Sequence, residues 1–230
     1  MTNRTAESSP LVYARVAGAA YLLITIAGAL GVGFLDSKLV VSGDHAATAN
    51  NIIANGLLFR LGIVAVLIIY ASVVVATWAF YVLLKRVDKN LALLAMLLRL
   101  VEAIVGAATV LLSFVVILLL EGSSTTFETE HVQALVGLFL EVRTAGLDVV
   151  LIFVGLGGAV FCYLFFKSKY VPRPLAAWGL FTYLSMLALA LVSILVPNHP
   201  DILEYVLYAL GGLFELIFAL WLLFKGINIE

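Results

Sequence analysis

Six runs of twenty or more mostly apolar residues divide this chain, at about Val16–Leu35, Leu58–Leu84, Leu91–Leu120, Leu135–Phe166, Leu175–Val196 and Ile202–Phe224. A bilayer core of about 30 Å is crossed by roughly 20 apolar residues rising 1.5 Å each. Each run is therefore long enough to span it as a helix. A soluble domain is about 45–50% apolar and about 25% charged, whereas this chain is 64% hydrophobic and 12% charged. It has too little polar surface to coat a water-soluble body. The expected fold is all-α: one transmembrane domain over residues 1–230, a bundle of six helices. The third and fourth runs exceed the minimum, which predicts tilt, or an amphipathic turn before the fourth enters lipid. The first run is too long for a signal-peptide core and reads as a retained helix.

Charge in the connections orients the bundle. With six alternating spans, Arg4, Arg15, Lys85, Arg86, Lys89, Lys167, Lys169, Arg173 and Lys225 share one side, and Lys38 falls on the other. The positive-inside rule then predicts cytoplasmic termini. Trp78, Trp178 and Trp221 fall near the same inner interface. Cysteines introduced in the Gly122–His131 loop are expected to react with an impermeant thiol reagent on intact cells, and cysteines in the Val87–Asn90 turn are not. The reverse labelling would invert the orientation.

The connections are short except for two on the outer side. Asp44 ahead of His45-Ala46-Ala47-Thr48-Ala49 reads as the N-cap of a short surface helix. Pro172 and Pro174 punctuate the inner turn before the fifth span, and Pro197 and Pro200 the outer turn after it. A net charge of −1 leaves no basic field for nucleic acid. The lone Cys162 excludes an intrachain disulfide.

Several patterns recur in order along the chain. They are Ala14-Arg15-Val16-Ala17-Gly18 with Tyr21-Leu22, Gly43-Asp44 with Ala46-Ala47-Thr48-Ala49, and Phe59-Arg60-Leu61-Gly62. Arg99-Leu100-Val101-Glu102-Ala103, the Lys167–Arg173 turn, and Glu215 followed by Trp221-Leu222-Leu223-Phe224-Lys225-Gly226 complete them. Together they resemble the bacterial membrane family called "domain of unknown function 4386" over nearly the whole chain. The resemblance implies a multi-pass protein of the bacterial inner membrane and no particular activity.

Ionisable groups inside a span are costly unless they face protein or water, so each is a candidate functional residue. Arg99, Glu102, Gly106, Thr109 and Ser113 recur at three- and four-residue steps and share one face of the third span. Gly137, Glu141, Thr144, Asp148 and Gly155 do so on the fourth, and Glu204, Tyr208, Gly211 and Glu215 on the sixth. Such stripes of small and polar residues are expected to meet inside the bundle. The candidate ligand-binding or ion-pair cluster is Arg60, Arg99, Glu102, Glu141, Arg143, Asp148, Tyr208 and Glu215. Its members run from the outer surface to the midplane, and the inner half has no equivalent. That pattern fits an outward-facing pocket for a small molecule, ion or lipid, and equally a buried structural cluster.

His45, His131 and His199 fall in three separate outer loops without metal-site spacing, so no metal is expected. With no histidine or lysine inside a span, haem, retinal and an activated serine have no anchor, and no cofactor is expected. The expected function is a transporter-like membrane protein without catalytic residues. The expected partners are membrane lipid, a small-molecule or ion ligand and, as an open option, a second copy of the chain. A lipid-acting intramembrane enzyme and a structural or regulatory membrane subunit remain the alternatives.

Overall fold

The computed structural model describes residues 10–31, 37–122, 128–196, 200 and 202–228. The long helices are α1 (Pro10–Gly28), α4 (Gly56–Leu84), α5 (Lys89–Gly122), α6 (Thr129–Ser168), α7 (Arg173–Leu195) and α8 (Ile202–Leu220). Two short ones, α2 (Ser37–Leu39) and α3 (His45–Ala54), lie between α1 and α4. A π-helical turn over Trp221–Lys225 prolongs α8. With these extensions, six helices are long and apolar enough to cross a membrane.

The helices form a ring in chain order. Each of α1, α4, α5, α6, α7 and α8 packs on the next, and α8 closes on α1. Short connections make neighbours of consecutive antiparallel helices from α4 onward, whereas α1 and α4 are joined through α2 and α3. Closure needs a notch. A methyl group on Gly18 would stand 2.7 Å from the Leu223 backbone nitrogen and 2.8 Å from the Ala219 carbonyl oxygen. The two helix backbones therefore touch at this position.

Pro10, Tyr13, Arg86, Tyr170 and Ile227 line one hollow, so both ends of the described chain share a side with the α4–α5 and α6–α7 turns. We call this the termini side and the opposite one the loop side. The C-terminal segment is tied down there. Gly226 turns the chain with φ +74°, Asn228 N donates to Tyr170 O at 2.9 Å, and Asn228 Nδ2 donates to Lys169 O at 3.3 Å.

Two cores result. On the termini side, Phe80 of α4 meets Tyr21 of α1, Phe161 and Phe165 of α6 and Phe218 of α8, with ring centroids 5.1–5.9 Å apart. These aromatic contacts fill the ring. On the loop side, Leu39 of α2 and Ile52 of α3 cover Phe59 and Ile63 of α4, Val116 and Ile117 of α5, and Val132 and Val136 of α6. Asp44 caps α3, accepting from Ala47 N at 2.8 Å. The described part of α8 contributes no buried residue before Gly211.

Helix ends extend past several sequence-predicted span limits. The first begins at Pro10 rather than Val16, because Ala14, outside the apolar run, is already packed in the termini-side core. The predicted residues 32–35 lie outside the described residues. The fourth begins at Thr129 rather than Leu135, and its extra turn is the amphipathic one, with Val132 buried and His131 exposed. At 40 residues α6 is about 60 Å long, twice the bilayer core.

Candidate functional site

The α5 stripe turns inward as its spacing requires: Arg99, Glu102, Gly106 and Ser113 are buried and Thr109 half-buried. Arg99 and Glu102 are each 3% exposed. Arg99 Nη1 stands 2.7 Å from Glu102 Oε2, one helical turn away, though neither atom has an aligned hydrogen-bond partner. The contact is an ion pair held by proximity. Gly157 of α6 admits the arginine stem, since a methyl there would lie 2.8 Å from Arg99 Cγ.

From this pair the cluster continues through tyrosines. The Arg99 guanidinium lies 5.9 Å from the Tyr183 ring centroid, within cation–π range. Tyr183 of α7 donates its hydroxyl to Glu215 Oε1 at 3.1 Å, and the Tyr21 hydroxyl lies 3.1 Å from the Tyr183 oxygen. A phenol has one proton, so Tyr21 is the donor to Tyr183. Gly158 makes room for the Tyr183 ring, 2.5 Å from where its Cβ would be. Tyr21, Arg99, Gly157, Tyr183 and Glu215 each lie ten or eleven residues from the termini-side end of their helix. That is about 15 Å along each axis, half of a bilayer core.

A second polar group lies loopward. Tyr70 of α4 puts its phenol end into the notch at Gly106, and both Glu102 and Arg143 act on it electrostatically. Arg143 Nη1 donates to Ser113 Oγ at 3.3 Å. Arg143, Ser113, Thr109 and Tyr70 line a cleft of about 470 Å³, mouth included, whose other walls are Ile63, Val66, Ile69, Val110 and Leu147. Arg143 is fourteen residues from Gly157 along α6, and Ser113 fourteen from Arg99 along α5. Both therefore lie about 21 Å beyond the buried cluster, which is headgroup depth for a core of about 30 Å centred on that cluster, while the aliphatic walls descend toward Tyr70.

The remaining candidates lie elsewhere. Arg60 contacts Glu121 at 2.6 Å on the exposed loop side. Glu141 faces His45 at 3.7 Å, with the His45 ring seated on Gly137. Exposed pairs of this kind contribute about 0–1 kcal/mol. Asp148 and Glu204 both act electrostatically on Tyr208, which is 42% exposed. The eight candidates thus divide among four places: the Arg99 cluster, in which Glu215 is half-buried, the cleft, the loop-side surface and the Tyr208 neighbourhood. His131 stands 3.6 Å from Glu128, and His199 lies outside the described residues. Among the described residues, no three His, Cys, Asp or Glu side chains gather as metal ligands would.

Tyr21, Tyr70 and Tyr183 were not among the sequence candidates. Their signal is indirect. Gly155-Leu156-Gly157-Gly158 in the middle of an apolar span leaves space for large neighbours, and the arginine stem and Tyr183 occupy it.

Among known proteins, the model of the family described as "Domain of unknown function (DUF4386)" matches residues 16–226. No curated protein and no solved structure matches the chain.

Proposed function

The chain belongs to the DUF4386 family, a multi-span helical membrane protein, and we propose that it is a non-enzymatic binder of a membrane-resident amphiphile, taken into the α4–α5–α6 cleft. One observation carries this reading: a half-buried guanidinium, Arg143, stands at headgroup depth above a cleft whose walls are mostly aliphatic. An anionic head would pair with Arg143, whose planar fork matches a carboxylate or phosphate, and the Ser113 hydroxyl beside it would add a hydrogen bond. The tail would lie along Val66, Ile69 and Leu147. The cleft lining holds neither a carboxylate nor an imidazole among the described residues, which favours binding over acid–base catalysis. In this reading Arg99, Glu102, Tyr183 and Glu215 are the anchor that holds α5, α6, α7 and α8 together beneath the cleft.

The test is mass spectrometry of molecules that co-purify with wild type and with Arg143→Gln. The variant is expected to lose an anionic amphiphile at least about tenfold, the equivalent of one charge-assisted contact. Its unfolding temperature is expected to stay near that of wild type. Equal retention by both proteins would defeat the reading.

A further inference from the structure

The termini side carries a second built hollow that the amphiphile reading does not use. Its volume is about 400 Å³ with the open solvent at its mouth included, and it lies where α1, the end of α4, the α6–α7 turn and the C-terminal segment converge. Arg86, Tyr13 and Tyr170 supply its polar groups, and Val82, Leu83 and Ile227 its apolar walls. The backbone around it is locked, because Asn228 bridges to Lys169 and Tyr170.

The surroundings point to the occupant. Arg15, Lys85, Lys89, Lys167, Lys169, Arg173 and Lys225 stand at this end of the helices, and Asp88 is the acidic residue among the described ones there. Lys85 lies over the Tyr81 ring at 5.9 Å and Arg173 over Phe166 at 5.5 Å. Trp78 is 50% exposed and packs edge-to-face on Tyr13 at 5.5 Å. Cations backed by aromatic rings at helix ends mark a membrane–water interface. Basic pockets between spans at that level suit acidic lipid heads. We propose that this hollow binds the phosphodiester headgroup of an anionic phospholipid, with Arg86 paired to the phosphate and the Tyr13 and Tyr170 hydroxyls beside it.

The experiment is native mass spectrometry of the full chain in detergent, with phosphatidylglycerol, phosphatidylcholine or inorganic phosphate added. Every protein carries Arg143→Gln, so that the α4–α5–α6 cleft is silenced and the outcome is separate from the amphiphile reading. Phosphatidylglycerol is expected to be retained over phosphatidylcholine, and an added Arg86→Gln to weaken that retention about tenfold. Arg86→Lys, which keeps the charge but not the fork, should fall between them. Lys89→Gln should leave retention unchanged and so separates a built site from a general positive field. Equal losses in Arg86→Gln and Lys89→Gln would overturn the proposal. So would equal retention of the two lipids, or stabilisation by inorganic phosphate as strong as that by phosphatidylglycerol.

Discussion

Replacing Glu102 with leucine is expected to lower the stability of the bundle by about 3–5 kcal/mol, because it leaves the Arg99 charge in a site that admits almost no water. Arg99→Met should cost a similar amount by stranding the carboxylate. The double variant should recover most of the loss, since two apolar side chains of similar volume leave no charge unpaired. The coupling is the difference between the double variant and the two singles, measured by equilibrium unfolding in detergent. Glu215→Gln is expected to do much less: its oxygen still accepts from Tyr183, and the charge it removes acts on Arg99 more weakly than the charge of Glu102 does. The Arg99/Glu102 coupling should therefore exceed the Arg99/Glu215 coupling. Additive losses at Arg99 and Glu102 would mean that the 2.7 Å contact does not hold the cluster together.

Gly18→Val is expected to be among the most damaging of the glycine changes. The obstacle is the α8 backbone at Ala219 and Leu223, which cannot rotate aside as a side chain can. Overpacking of an ordinary core costs about 1–3 kcal/mol, and a backbone contact is expected at or above the top of that range. The damage should be directional. The α1–α8 seam closes the ring, so the C-terminal segment tied to Lys169 and Tyr170 should become the first site of protease cleavage. Gly212→Ala on α8 is the control, since nothing lies within 4 Å of its added methyl. Better helix propensity there should leave stability unchanged or raise it by up to about 1 kcal/mol. Equal effects of the two substitutions, or an intact C-terminal segment in Gly18→Val, would show that this seam does not close the bundle.

How much of the site was legible depended on which residues carried it. On α5 the three- and four-residue steps place Arg99, Glu102, Gly106, Thr109 and Ser113 on one face, and that face is the inner one. On α6 the same rule brought together residues that the structure separates. Gly137 lies under His45, Gly155 lies against the α7 backbone at Tyr183 and Leu187, and Glu141 is exposed. A helix that packs on α3 at one end and α7 at the other has no single inner face. Tyr183, which links Arg99 to Glu215, belongs to none of the stripes.

The sequence alone determined what depends on position along one chain. Six spans follow from the length of the apolar runs, the α3 cap from Asp44, and the inward face of α5 from its period. Tertiary structure decided which residues meet. Only packing selected the contact of Arg99 with Tyr183, the placing of Arg143 over an aliphatic cleft, and the loop-side core built by α2 and α3 with α4, α5 and α6. The reason is the solvent. Lipid is as apolar as a protein core, so a leucine facing lipid and a leucine facing a neighbouring helix look alike in sequence. In a membrane, the choice of partner falls to shape: a glycine notch against a ring, an arginine stem or a backbone.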